Sequence, residues 1–587
     1  MILRNWLAMV LLLSPAPRYT TALWPIPSSL SRGATAVKLS SVFDIHIDIS
    51  SPPADLVAAV SRTRSRITTD RFQRLVIGRS TTDISSISSA RTLTSLSLAL
   101  HPGSLVRSIA DETNQPITSR SEVYSLAITG DRPSAILIAN STLGLFRGLA
   151  TFEQLWYDLN GTKYLLDGGI DIVDQPAFPY RGFSFDTSRN FYPVADILRT
   201  IDAMSWVKLS ILYWHVIDSQ SFPLHVEAYP ELAEKGAYSA EEIYSQNDIR
   251  TIVQYANERG VDVVMELDSP GHTTAIGAAH PELIACAAKS PWASYASEPP
   301  AGQLRIASPA TVEFAKTLFD SVASVLPSKM MSSGGDEVNL PCWEEDEETE
   351  TDLAERNITI ADALNDFVQA VQGVITSHGK TPFIKSDMVL THNVPVVNDT
   401  VVVVWQTSED AVSVAERNLR FIHQPSNYFY LDCGAGEWLG NDVLGYVKPA
   451  GPLAIGPTVH SCFCRNSWCD PFKTWQRAYS FDPLANLTED QHHLVLGGQM
   501  PIWSEQSSPE NLDPIIWPRL AVAAEVFWTG ATLPDGSPRL GPNATSGRNA
   551  LARLNELRYR LVDRGVSAIA LQPKWCVLRP GECDLDS

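Results

Sequence analysis

Three things are scarce in this 587-residue chain. After its first two dozen residues it has no apolar run approaching the ~20 residues needed to cross a bilayer, so a membrane-spanning body is excluded. Basic residues are few for the acidic ones, 45 Lys and Arg against 66 Asp and Glu, and no Lys/Arg cluster offsets the formal net charge of −21. That balance excludes nucleic acid and anionic membrane surfaces as partners. Cysteine is limited to eight residues, and Cys462, Cys464 and Cys469 are expected to serve as bridge cysteines rather than as a zinc cluster. We therefore expect no metal and no cofactor. Hydrophobic residues reach 44% and charged ones 19%, the composition of a globular protein. One core does not suffice at this length, so at least two domains are expected.

The N-terminus reads as a leader: Arg4, the apolar stretch Trp6–Leu13, then small residues near Thr20–Ala22. Residues 1–22 are expected to be a signal peptide, and the product to be secreted, to the medium, the cell wall or a vacuole. Six N-x-[ST] sequons begin at Asn140, Asn160, Asn357, Asn398, Asn486 and Asn543. Eight cysteines in an exported chain suggest disulfides. Cys576 and Cys583 could close a small loop in a C-terminal tail, residues 566–587.

Residues 23–175 are rich in Ser and Thr and contain period-two stretches such as Phe43–Ile49, which predicts strands of a smaller α+β domain. A helix is expected over residues 144–155, and Asp174–Pro179 reads as a linker because two prolines interrupt it. Over residues 178–565 short apolar runs alternate with helical patterns. Strands are expected at 181–186, 209–217, 261–267, 330–335, 382–388, 401–405, 428–431 and 496–503. Helices are expected at 193–206, 247–259, 309–326 and 358–378. Eight such strands predict a (β/α)8 TIM barrel as the catalytic domain. Asp186, Asp218, Asp268, Glu337, Asp432 and Glu505 fall at or just after strand ends, where that barrel carries its chemistry.

Gly334-Gly335-Asp336-Glu337 ends an apolar strand with two carboxylates after two glycines that let the backbone approach a ligand. Adjacent carboxylates are poorly placed to flank an anomeric carbon as acid and opposed nucleophile. They better suit one acid for the leaving group and one carboxylate that orients a nucleophile carried by the substrate. His215 with Asp218, and Asp268 with His272, close two consecutive strands; metal ligation by these groups stays open at this point. Trp405 and Trp503 stand at strand ends, where indole faces can pack on the apolar side of a sugar.

Six motifs in chain order carry a family resemblance: Arg181-Gly182-Phe183 with Asp186-Thr187-Ser188-Arg189, His215–Pro223, Asp268–His272, Gly334–Glu337, Tyr430-Leu431-Asp432 and Trp503-Ser504-Glu505. From about Leu23 onward the chain resembles the family 20 glycoside hydrolases, and most the fungal secreted β-N-acetylhexosaminidases. The resemblance implies exo-acting, retaining removal of terminal GlcNAc or GalNAc from chitin oligomers or glycans, through an oxazolinium formed by the substrate's own acetamide. It implies Glu337 as general acid/base and Asp336 as acceptor of the acetamide N–H, with Tyr430 steering the acetamide oxygen. Asp218 and His272 would form a relay toward Glu337. Arg181, Asp432 and Glu505 would hold ring hydroxyls, and Trp405 and Trp503 would line the pocket. The family's third pocket tryptophan is matched here by Lys385. The resemblance also implies the disulfides Cys286–Cys342, Cys433–Cys469 and Cys576–Cys583, with Cys462 and Cys464 unassigned. The partner is an N-acetylhexosamine-terminated oligosaccharide, and a homodimer is left open. So are a sugar-binding relative without catalysis and a specificity that releases a disaccharide.

Overall fold

The structure, a computed structural model, describes residues 22–129, 132–436, 438–439, 469, 471–539 and 547–585. The leader and the pair Cys462 and Cys464 lie outside the described residues.

The first layer is an eight-stranded mixed sheet between Ser29 and Asp174. Its strands alternate as a half-buried sheet requires: Tyr124, Leu126 and Ile128 point inward, as do Ala135, Leu137 and Ala139 on the neighbouring strand. Helices Ala54–Thr69 and Thr142–Gln154 cover that face. The second is capped by Ser141, whose hydroxyl accepts the Gly144 N–H at 3.0 Å. Gly148 lets it lie close to the sheet, since a Cβ there would stand 2.3 Å from the Leu137 side chain.

The second part is a closed parallel barrel. Its strands are β1 Tyr180–Asp186, β2 Ile211–Ile217, β3 Asp262–Leu267, β4 Met330–Ser332, β5 Thr381–Lys385, β6 Val401–Val404, β7 Arg420–His423 and β8 Val495–Ile502. β8 pairs back onto β1 to close it. The strands are covered on both sides, which is why they read as near-continuous apolar runs. Tyr213, Val264, Met330, Phe383, Val403 and Ile422 pack inside the barrel. Helices such as Val194–Trp206, Gln246–Asn257, Pro309–Val325 and Ile360–Ser377 pack outside it.

Seven of the eight expected strands coincide with observed ones. The seventh is misplaced: β7 is Arg420–His423, while Ser426–Phe429 is a helical turn entered through Pro425. The real strand is four residues long with charged or polar ends, so it carries little pattern. The aromatic run 428–430 is apolar because Phe429 and Tyr430 are buried side chains of a connection, not because it is extended. Two other strands end early. β4 stops at Ser332 because Gly334 and Gly335 take positive φ, and β5 gives way to the short helix Ser386–Leu390.

Buried polar contacts join sheet and barrel at the end away from the catalytic face. Lys208 and Asp174, both fully buried, pair at 2.8 Å, and the Trp528 indole N–H donates to the same carboxylate at 2.8 Å. Glu122 accepts from Arg147 and Arg181, each at 2.6 Å.

Candidate active site

The C-terminal ends of the barrel strands surround a cavity of about 270 Å³. Asp336, Glu337, His272, Trp405, Tyr430, Asp432, Trp503 and Glu505, all expected there, line it together with Asp268 and Arg189. Asp218 lies directly behind His272.

The turn after β4 presents the carboxylate pair. Gly334 (φ 65°) could carry no side chain, because a Cβ would fall 2.0 Å from Asp268 Oδ1, and the Gly335 N–H donates to that oxygen at 2.8 Å. Glu337 itself sits at φ 55° and His272 at φ 53°, left-handed positions that non-glycine residues seldom occupy. Such backbone strain collects where side-chain aim matters.

A continuous chain of contacts runs through the site. Glu266 Oε1 meets His215 Nδ1 at 2.7 Å, and His215 Nε2 meets Asp218 Oδ2 at 2.8 Å. Asp218 Oδ1 meets His272 Nδ1 at 3.0 Å, and His272 Nε2 lies 3.3 Å from Glu337 Oε2. Burial alone would keep both imidazoles neutral. The carboxylates outweigh it, pushing His215 up to about 10 and His272 well above its ordinary value, with Asp218 the main partner. Burial would likewise raise Asp218, but Arg189 and His272 hold it ionised.

Asp336 is buried, and burial opposes its charge, yet Lys385 and then His272 hold its carboxyl below the usual range. Lys385 Nζ stands 3.4 Å from Asp336 Oδ2 and 3.4 Å from Glu266 Oε1. A hydrogen bond with the neighbouring Asp268 carboxyl lowers Asp336 further. Asp268 is pushed far upward by burial and by the Asp336 charge.

Aromatic walls close the far side. Trp405 stacks on Tyr430 with ring centroids 6.5 Å apart, and Tyr430 lies 6.3 Å from Trp503. Asp387 fixes Trp405 by accepting its indole N–H, while Gln406 donates to the other carboxylate oxygen at 3.1 Å. Burial and the Asp336 charge push Asp387 up to about 6. Burial likewise lifts Asp432 to about 7 and Glu505 well above the ordinary value. The Cys433–Cys469 disulfide ties the segment after Asp432, and Cys286–Cys342 ties the β3–β4 connection; with Cys576–Cys583 these are the three expected pairs.

One expected site residue belongs elsewhere. Arg181 is the second residue of β1, at the opposite end of the barrel, and is fully buried. Its guanidinium donates to the carbonyls of Lys208, Phe178 and Pro179 and pairs with Glu122, which leaves it structural. Arg189 occupies the pocket instead. It pairs with Asp218 at 2.9 Å and Asp186 at 3.3 Å, donates through Nε to Glu298 at 2.9 Å, and lies over Trp503. The signal was present as Asp186-x-x-Arg189 just past a strand end, where β1 delivers it to the catalytic face. Glu298, in the long β3–β4 connection, had no sequence signal.

Among the described residues three His–carboxylate sets come close enough to share a centre: His215, Glu266 and Asp268; Asp218, His272 and Glu298; and Asp268, His272 and Asp336, whose His272 nitrogens already face Asp218 and Glu337. The nitrogens of His215 are held by Glu266 and Asp218, and Arg189 fills the second set. Cys433 and Cys469, beside Asp432, are spent in a disulfide.

Comparison with known proteins matches residues 178–531 to the glycosyl hydrolase family 20 catalytic domain and residues 23–155 to a domain described as beta-acetyl hexosaminidase like. A beta-hexosaminidase of Arthroderma benhamiae is 34% identical over 499 residues, covering 81% of this chain and 77% of that protein. A chitooligosaccharidolytic beta-N-acetylglucosaminidase of Bombyx mori is 30% identical over 96% of this chain and 89% of its own. The fold of an exo beta-N-acetylglucosaminidase from Vibrio harveyi, solved with N-acetylglucosamine, superposes with a TM-score of 0.70 at 20% identity, covering 96% of this chain and 80% of that one.

Proposed function

The chain belongs to glycosyl hydrolase family 20 and is an exo-acting β-N-acetylhexosaminidase, and from that premise we propose that Glu337 and Asp336 carry its reaction. The observation that supports this most is their placement: both end on one turn, facing one cavity, with different partners. Glu337 contacts the His272 imidazole at 3.3 Å, whereas Asp336 is held from behind by Lys385 through Oδ2 and lines the cavity.

Glu337 donates a proton to the glycosidic oxygen as the acetamide carbonyl attacks C1. Asp336 Oδ1 accepts the acetamide N–H and balances the positive charge of the oxazolinium that forms. A nucleophile tethered to the substrate gains the advantage of an intramolecular reaction. His272, held by Asp218, donates to Glu337 once the proton has left; Glu337 then takes a proton from the water that opens the ring. Tyr430 steers the acetamide oxygen, and Trp405 and Trp503 pack on the sugar's apolar faces. Arg189 takes the hydroxyl-binding role first expected of Arg181, together with Asp432 and Glu505.

The experiment is proton NMR of aryl β-GlcNAc hydrolysis. The β anomer should appear first and mutarotate afterwards; first appearance of the α anomer would sink the mechanism. The leader-like N-terminus, six sequons and three disulfides support export as a glycoprotein. A mobility shift on enzymatic removal of N-glycans from secreted protein checks that, and its absence counts against it.

A further inference from the structure

Lys385 is a buried ammonium at the heart of the site that the reaction above does not use. It is the last residue of β5, and its N–H donates to the Gly334 carbonyl at 2.9 Å, so strand register places it against the turn that presents Asp336. Its side chain is 1% exposed and is absent from the cavity wall. Nζ lies 3.4 Å from Asp336 Oδ2, 3.4 Å from Glu266 Oε1 and 5.1 Å from the centroid of the Trp503 ring, and Asp268 and Tyr430 also act on its charge.

This environment separates two roles for a cation under the C2 substituent. Recognition of an anionic substituent would need spare positive charge facing the cavity. Here one ammonium faces two carboxylates, so none is spare, and Nζ stands behind Asp336 rather than beside the ligand. The ammonium holds Asp336 through Oδ2.

We propose that Lys385 is a positioning residue: it pins Asp336 by Oδ2 and supplies its counter-charge, so that Oδ1 stays directed at the N–H of the substrate's C2 acetamide. This rests on the role assigned to Asp336 above. Without Lys385, Asp336 would face carboxyls from every side: Glu266 on β3, Asp268 after it, Glu337 next in chain and Asp387 after β5, with the Tyr430 hydroxyl above. The cations left nearby would be His272 and His215, themselves engaged by Asp218. A neighbouring cation lowers a carboxyl's pKa, so removing it raises the pH at which Asp336 becomes protonated and loses its pull on the acetamide. The lysine thus extends activity toward acid.

The test is the pH profile of kcat/KM on aryl GlcNAc for the parent, Lys385→Met, Asp336→Asn and the double variant. In Lys385→Met the acid limb should move upward by about 1–3 pH units, the shift one nearby charge produces. The loss should be deepest at low pH, and Lys385→Met should move no limb in the Asp336→Asn background. An unmoved acid limb in Lys385→Met, or a shift that persists without the Asp336 carboxylate, overturns the proposal. If Lys385→Met is too unstable to purify, Lys385→Gln keeps a neutral donor in similar volume and carries the same expectation. Parent-like activity of Asp336→Asn alone would instead overturn the role of Asp336, a failure readable without any lysine variant.

Discussion

Two arginines eight residues apart should respond oppositely to the same change, and the contrast tests how the pocket is built. Arg189→Lys replaces a five-donor fork by a single ammonium. The fork now spans Asp186, Asp218 and Glu298, over the Trp503 ring, and still faces the cavity. A lysine cannot keep that bridge and also reach a sugar hydroxyl, so at least one charge-assisted hydrogen bond is lost. Such a bond contributes about 1.5–3 kcal/mol, which corresponds to a fall of about 10- to 150-fold in kcat/KM. Arg181→Lys should leave kcat/KM close to the parent's. Its three backbone carbonyls and Glu122 lie at the far end of the barrel, and a lysine keeps the charge but not all of these hydrogen bonds, each contributing about 1.5–3 kcal/mol of stability. That loss should appear as a lower Tm. The assay is kcat/KM on aryl GlcNAc beside thermal unfolding for each variant. A kinetic defect in Arg181→Lys equal to that in Arg189→Lys, with Tm unchanged, would refute the assignment.

Glu337→Gln should keep the fold and lose about 10²–10⁴-fold in kcat on chitobiose, with a smaller loss on nitrophenyl substrates whose leaving group needs little protonation; equal losses on both would remove Glu337 from the acid role. Asp387 is pushed up to about 6 from its ordinary 3.8, so the native state binds its proton more tightly than the unfolded chain. Stability therefore falls as pH rises from about 4 to 6, and Asp387→Asn should flatten that decline in thermal unfolding measured across the window; an unaltered slope would contradict the buried setting of this carboxyl.

The barrel was legible because a strand buried on both faces reads as a continuous apolar run, and seven such runs exist. The strand that did not read this way, β7 at Arg420–His423, is too short and too polar at its ends to register, and the aromatic run beyond it drew the assignment away. The carboxylate pair was legible because two glycines and two acids end an apolar strand, a combination with little use on a solvated surface. Arg181 lies near the start of β1 and Arg189 just past its end. Which one reaches the catalytic face depends on strand direction: the residue past the C-terminal end points into the pocket, and the residue near the N-terminal end points to the junction with the first sheet. Motif adjacency alone does not distinguish them. Glu298 was invisible because it comes from a long connection whose path no local pattern dictates. The environment of Lys385 was equally hidden, since its partners Glu266 and Asp336 come from two other strands.

The central claim is that the substrate's acetamide is the nucleophile and that Asp336 serves it. The most direct measurement compares kcat/KM for aryl β-GlcNAc and the matching aryl β-glucoside, with parent and Asp336→Asn side by side. The parent should favour the acetamido substrate by on the order of 10⁵-fold or more, the scale of a well-placed intramolecular nucleophile. Asp336→Asn should lose about 10²–10³-fold on that substrate alone. Comparable turnover of both sugars by the parent, or an Asp336→Asn defect of equal size on the glucoside, would contradict the account.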